Sequence, residues 1–182
     1  MRLRRRVKKD RFLFVCYEIV HGIGALVFSD KGLIGLILPY VKKEETLREV
    51  YKKFSSSVDC EITEISRDKD SLIWPLLYYF QGREVKFDYV LDLRGFTKFE
   101  EEVYKAVISV PFGELRSYKW VAETIGKSGA YRAVGNALAK NLIPIVVPCH
   151  RITSNDGRLG GWSGKEGWKR KLLELEGLRN EG

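Results

Sequence analysis

One stretch late in the chain gathers the reactive groups: Ile143-Pro144-Ile145-Val146-Val147-Pro148-Cys149-His150-Arg151. Cys149 is the candidate nucleophile. A thiol of pKa ~8.5 is only a few per cent thiolate at neutral pH, and a neighbouring imidazole, guanidinium or helix N-terminus raises that fraction. Pro144 and Pro148 fix φ and remove backbone donors, so the approach to the cysteine is stiff. Adjacency does not place His150 on the sulphur. Successive side chains of an extended segment point apart, so a bridging water and a direct contact both stay open. Glu176, near the end of the expected last helix, can orient the imidazole, and Cys–His–Glu is triad logic with a soft nucleophile. The competing readings are a structural thiol beside a surface imidazole, and a solvated helix carboxylate.

Downstream, Gly157-Arg158-Leu159-Gly160-Gly161-Trp162-Ser163-Gly164 is a glycine-rich loop without the spacing of a dinucleotide fingerprint or the Lys-Ser/Thr ending of a phosphate loop. It offers close backbone approach, one aromatic and one hydroxyl, the materials of a base pocket. His21-Gly22-Ile23-Gly24 reads as a hairpin turn. Cys16 and Cys60 read as buried small hydrophobes. Three cysteines, an odd and sparse set, argue against a disulfide framework, and with His21 and His150 they form no zinc cluster of usual spacing. The expectation is a reduced, cytoplasmic protein with no metal and no cofactor.

These groups need elements to hold them. Phe12 to Val20, Leu26 to Phe28 and Leu33 to Leu38 read as strands of an antiparallel meander, with a turn at Asp30-Lys31-Gly32. Glu44 to Phe54 and Asp70 to Phe80 read as helices, and Val85 to Val90 as a short strand. The second half is mostly helical. Thr97 with Glu100 three residues on is a capping-box pattern for a helix running to about Val110. Ser117 caps a helix from Tyr118 to Ile125, Gly126-Lys127-Ser128-Gly129 turns, and Ala130 to Lys140 follows as another helix. Helix, glycine-containing turn, helix is the helix-turn-helix signature. Val121, Ala122 and Ile125 can pack on Ala133, Val134, Ala137 and Leu138, leaving Arg132 and Asn136 on the outward face. The organisation expected is 1–91, a linker at 92–96, and 97–182.

The 182 residues carry a formal net charge of +8, with 45% hydrophobic and 31% charged residues, an ordinary globular composition. From Arg116 to Lys171 there are eleven basic and three acidic residues, so this window alone equals the net charge of the chain. Such a field suits a polyanion, although a solvated surface also explains a run of charge. The basic start (Arg2, Arg4, Arg5, Arg6, Lys8, Lys9) reads as a solvated tail, and the apolar stretch after it is too short for an export signal or a membrane span. A single glutamine, Gln81, against frequent Lys and Glu hints at a thermophilic host.

At Pro148-Cys149-His150-Arg151, preceded by Arg132-Ala133-Val134-Gly135-Asn136-Ala137 and Asn141, the chain resembles the O6-alkylguanine-DNA alkyltransferases, the methylated-DNA–protein-cysteine methyltransferases. The likeness runs from about Thr97 to Gly177. The resemblance implies an α/β (α+β) protein with an N-terminal ribonuclease-H-like antiparallel sheet with helices and a C-terminal winged helix-turn-helix domain. It implies a monomer that binds double-stranded DNA in the minor groove, flips out an O6-alkylguanine and moves the alkyl group irreversibly onto Cys149, once per molecule. Glu176, His150 and a water would draw the proton from Cys149, Asn141 would brace the segment, and Tyr118 would serve the leaving purine at N3. The implied substrate set is Ser163 on O6, Trp162, Ile152, Lys169, Gly160 and Pro144. The implied DNA set is Arg132, which takes the place of the extruded base, with Ala133, Gly135, Asn136, Leu138, Lys140 and Arg151. Trp162 stands where the family often has Tyr, and Ala139 and Lys140 where a basic residue and a glycine are common. Two rivals remain: a winged-helix DNA-binding module without chemistry, which has no need of Cys149, and a cysteine hydrolase, which needs an oxyanion hole and turns over.

Overall fold

The computed structural model describes residues 11–55, 61–65, 70–154, 165 and 167–178. By packing they divide into two units: the described residues of 1–69 with 89–92, and 70–88 with the described residues of 93–182. Residues 70–88 therefore join the second unit, although in chain order they precede the linker expected at 92–96.

The first unit is built on hairpins. Strands β1 (Arg11–Ile19), β2 (Gly22–Phe28) and β3 (Leu33–Tyr40) pair antiparallel in sequence order, with Val15 opposite Leu26 and Leu26 opposite Leu36. Helix α1 (Lys43–Phe54) follows, then β4 (Glu61–Glu64), which runs parallel to β1. The resulting order β3-β2-β1-β4 is the ribonuclease-H-like arrangement expected. Ala25, Leu26 and Val27 of the inner strand β2 are buried without break, so both faces of the strand are covered there. The sequence gives no sign of β4: Glu-Ile-Thr-Glu is an edge strand with little to bury, so it lacks an apolar alternation. Val85 to Val90, expected as a strand, has no ladder. Only Leu91 bridges Leu33, with the Leu33 N–H donating to the Val90 carbonyl at 2.8 Å. Cys16 is half-buried rather than buried, and burial beside Glu64 pushes its thiol up to about 12. Cys60 lies outside the described residues.

The second unit carries the expected helices. In α2 (Asp70–Phe80) the helix continues through Pro75, and Leu76 and Tyr79 are fully buried. Thr97 caps α3 (Lys98–Ile108) through the predicted capping box: its hydroxyl accepts from the Glu100 N–H at 3.3 Å, and the Glu100 carboxylate accepts from the Thr97 N–H at 2.8 Å. Ser117 caps α4 (Tyr118–Thr124) by accepting from the Trp120 N–H at 3.0 Å. After the turn comes α5 (Tyr131–Ala139). A short 3₁₀ turn (Cys149–Arg151) leads into β6 (Ile152–Thr153), which pairs parallel with β5 (Arg116–Ser117), and α6 (Trp168–Leu175) closes the unit. No helix among the described residues is long and apolar enough to cross a membrane.

Candidate active site

The residues before Cys149 form a strained and braced segment. Ile145 has φ 74°, a left-handed backbone that a β-branched residue enters only under compulsion from its surroundings. The Val147 N–H closes the turn on the Ile143 carbonyl at 2.9 Å. Asn141 supplies the compulsion. Its Oδ1 accepts from the Ile143 N–H at 2.9 Å, so its Nδ2 faces the other way, donating to the Val147 carbonyl at 2.9 Å and lying 3.1 Å from Cys149 Sγ. An amide donor on sulphur favours the thiolate over the thiol. Cys149 is 3% exposed.

His150 is 0% exposed and sits against Glu176, with Nε2 2.7 Å from Oε1. A carboxylate only accepts, so Nε2 carries the hydrogen and Nδ1 is the basic nitrogen. Nδ1 is buried and has no protein hydrogen-bond partner among the described residues. Burial disfavours the imidazolium and, with the Arg151 and Lys169 charges, outweighs the pull of Glu176, holding the imidazole pKa below its usual value. At neutral pH the ring is therefore a neutral base.

Glu176 terminates α6 and is 5% exposed. Burial alone would raise its pKa, but hydrogen bonds from His150, Arg151 and Tyr79 reverse this and hold it at about 2. Arg151 Nε lies 2.9 Å from Oε2 and Nη2 3.0 Å from Oε1, while Nη1 donates to the Val110 carbonyl at 2.7 Å. The Gly113 N–H donates to Oε2 at 3.1 Å, and the Tyr79 hydroxyl donates to Oε1 at 2.6 Å. Sequence reasoning missed Tyr79, and it placed Arg151 on DNA. The structure corrects the second point: Arg151 is 8% exposed and its guanidinium is occupied inside the unit.

The other expected residues divide by exposure. Tyr118 begins α4 and is half-buried, and burial with the nearby Cys149 raises its phenol, which stays protonated. Lys169 is buried and donates to the Ile152 carbonyl at 2.9 Å, leaving that oxygen a second lone pair. Pro144 is buried in the braced segment. Arg132, Ala133 and Asn136 are exposed on α5, and Gly135 is partly so. Leu138 is 5% exposed and belongs to the core of the helix pair, which removes it from a DNA-contacting face. Lys140 is exposed, but its ammonium pairs with Glu100 at 2.5 Å. Gly160, Trp162 and Ser163 lie outside the described residues. Among the described residues no three His, Cys, Asp or Glu side chains are grouped to hold a metal.

A helix-turn-helix unit that holds a braced, buried thiol and a carboxylate-oriented neutral histidine joins an architecture common among nucleic-acid-binding proteins to a candidate cysteine nucleophile. Comparison with known proteins narrows this class. Residues 98–178 match the family model "6-O-methylguanine DNA methyltransferase, DNA binding domain". The methylated-DNA–protein-cysteine methyltransferase of Methanothermobacter thermautotrophicus is 35% identical over 158 residues, 86% of this chain and 81% of that one. That of Mycobacterium tuberculosis (strain H37Rv) is 50% identical over 101 residues, 56% of this chain and 61% of that one, so this match spans under two thirds of the relative. The crystal structure of Mycobacterium tuberculosis OGT in complex with DNA superposes with a TM-score of 0.70 at 34% identity, covering 90% of this chain and 92% of that chain. The chain belongs to the methylated-DNA–protein-cysteine methyltransferase family.

Proposed function

We propose that the protein repairs double-stranded DNA directly, moving the alkyl group of an O6-alkylguanine irreversibly onto Cys149, one transfer per molecule. The observation that carries this reading is the state of His150: Nε2 is tied to Glu176, while Nδ1 is buried, basic and without a protein partner among the described residues. A water between Sγ and Nδ1 passes the thiol proton to the imidazole. The thiolate, with Asn141 Nδ2 at 3.1 Å, attacks the alkyl carbon. A C–S bond forms and the C–O6 bond breaks, its electron pair passing to the purine. Tyr118, a protonated phenol, supports the developing charge at N3, and the proton lost by the thiol ends on guanine by way of His150. The thioether does not revert, so the molecule is spent.

The lesion must leave the stack to reach a buried sulphur, at a cost of about a few kcal/mol. Arg132, exposed near the start of α5, is the residue for the vacated space. The small residues Ala133, exposed, and Gly135, partly exposed, suit the close approach of a minor groove. Gly135 supports this independently: a Cβ there would lie 3.9 Å from Tyr118 Cε1, an ordinary contact, so the protein's own packing does not demand glycine. Trp162, Ser163 and Gly160 complete the base pocket in this reading, Lys169 holds the Ile152 carbonyl against it, and the protein acts as a monomer in a reducing cytoplasm.

The experiment is Cys149→Ala, assayed for alkyl transfer and for affinity to duplex DNA. Transfer vanishes and affinity stays. Equal loss of both returns Cys149 to the role of a structural thiol.

A further inference from the structure

Tyr79 is remote from every motif that carries the family likeness, yet its hydroxyl lies inside the candidate proton relay. The hydroxyl donates to Glu176 Oε1 at 2.6 Å and sits 3.2 Å from His150 Nε2. Its ring is fully buried and fixed edge-on against Phe80 and Phe112, with centroids at 5.7 and 6.1 Å, and tilted against Phe87 at 5.9 Å. A polar group held this rigidly beside an ion pair fixes its geometry. We propose that Tyr79 is a positioning residue of the alkyl transfer: its hydroxyl pins the Glu176 carboxylate and the His150 ring so that Nε2–H faces the carboxylate and Nδ1 is left as the basic nitrogen.

The inference rests on the proposed relay but has a consequence of its own. His150 is faced by Lys169 from the start of α6 and Glu176 from its end, Arg151 from its own turn, and Tyr79 from α2. Arg151, the Gly113 N–H and the Tyr79 hydroxyl all draw charge from Glu176. Each such donor weakens the hold of the carboxylate on an imidazolium. Tyr79 thus keeps His150 a neutral base as well as an aligned one. The donation at 2.6 Å to Glu176 outweighs the longer 3.2 Å approach to Nε2, which sets the sign of the effect.

The test is the substitution Tyr79→Phe, which keeps the ring and removes one oxygen. The chain has only His21 and His150, so an NMR titration of the imidazole Cε1–H signals reads His150 directly, with His21 as the internal control. The His150 midpoint is expected to rise by roughly half to one pH unit, with His21 unmoved. The acid limb of the transfer rate should rise with it. If Tyr79→Phe folds poorly, difluorotyrosine at position 79, a stronger donor, should move the midpoint down. A His150 midpoint that ignores both changes overturns the proposal. Because the titration needs no lesion, an absence of transfer in the unsubstituted protein would sink the proposed function alone and leave the Tyr79 coupling standing.

Discussion

The relay and the outer face of α5 belong to the same unit and are built on opposite physical terms. Around Glu176 nearly every polar atom has a partner, and a carboxylate, a guanidinium, an imidazole and a phenol share one buried cluster. On α5, Arg132, Ala133 and Asn136 are exposed, and Arg132 has the Tyr131 ring at 6.0 Å as a loose neighbour. The first region spends its polar groups on itself and can hold a base in one tautomer. The second leaves its groups exposed, as the proposed DNA contact requires. Changes in the interior should therefore be felt in stability and chemistry together, and changes on α5 in binding with little effect on stability.

Arg151→Met is the most severe way to break this contrast. It strips the guanidinium from Glu176 and leaves the Val110 carbonyl unmet, and should lower the unfolding free energy by about 3–5 kcal/mol in chemical denaturation. A loss under about 1 kcal/mol, with DNA affinity reduced instead, would return Arg151 to the DNA face.

Acid should act on the interior in two stages. His150 has a folded pKa below its unfolded value, so its contribution is complete above about pH 6.5 and declines as pH falls and the unfolded chain takes up the proton. Glu176 has a folded pKa of about 2, so its contribution is present above the unfolded carboxylate value and is lost as pH falls toward 2. Denaturation followed from pH 7 to pH 2 should show the larger decline, on the order of 3 kcal/mol, in the acid stage, and Glu176→Gln should flatten it.

Arg132→Ala should change stability by less than about 0.5 kcal/mol, as surface substitutions do. Repair of a lesion in duplex DNA should fall by on the order of tenfold or more, with transfer from a free O6-alkylated base almost unchanged. An equal fall in both assays would remove Arg132 from base extrusion. Gly135→Ala gives the smallest effect and the sharpest contrast in sign. The helix should gain up to about 1 kcal/mol, while duplex affinity weakens. A gain in stability with no change in affinity would mean the groove does not approach this position.

The legible part of the site was the part that lies close in sequence. The run from Asn141 to His150 announced a stiff, thiol-bearing segment through its prolines and its family likeness. It did not announce the positive φ of Ile145, which arises from bonds made by Asn141. Tyr79 was invisible because it meets His150 across 71 residues and Glu176 across 97, with no local pattern to report either contact. Arg151 illustrates the same limit, since a basic residue in a basic window looks like a DNA contact until its buried acceptor is known. On α5 the two guides erred in turn. Periodicity correctly buried Leu138, which the family likeness had placed on DNA, and it wrongly packed Ala133 inward. In the first unit the hairpins were readable from their aromatic and β-branched residues and the turn at Asp30-Lys31-Gly32, while β4 and the packing of 70–88 depend on neighbours supplied by the rest of the chain.

The most direct measurement is mass spectrometry of the whole protein after reaction with excess duplex carrying O6-methylguanine, followed by peptide mapping. Expected is a gain of one methyl mass per molecule, confined to the peptide containing Cys149, with repair ceasing when the unmodified protein is exhausted. Recovery of protein without added mass after the lesions have been removed, or many lesions removed per molecule, would contradict it.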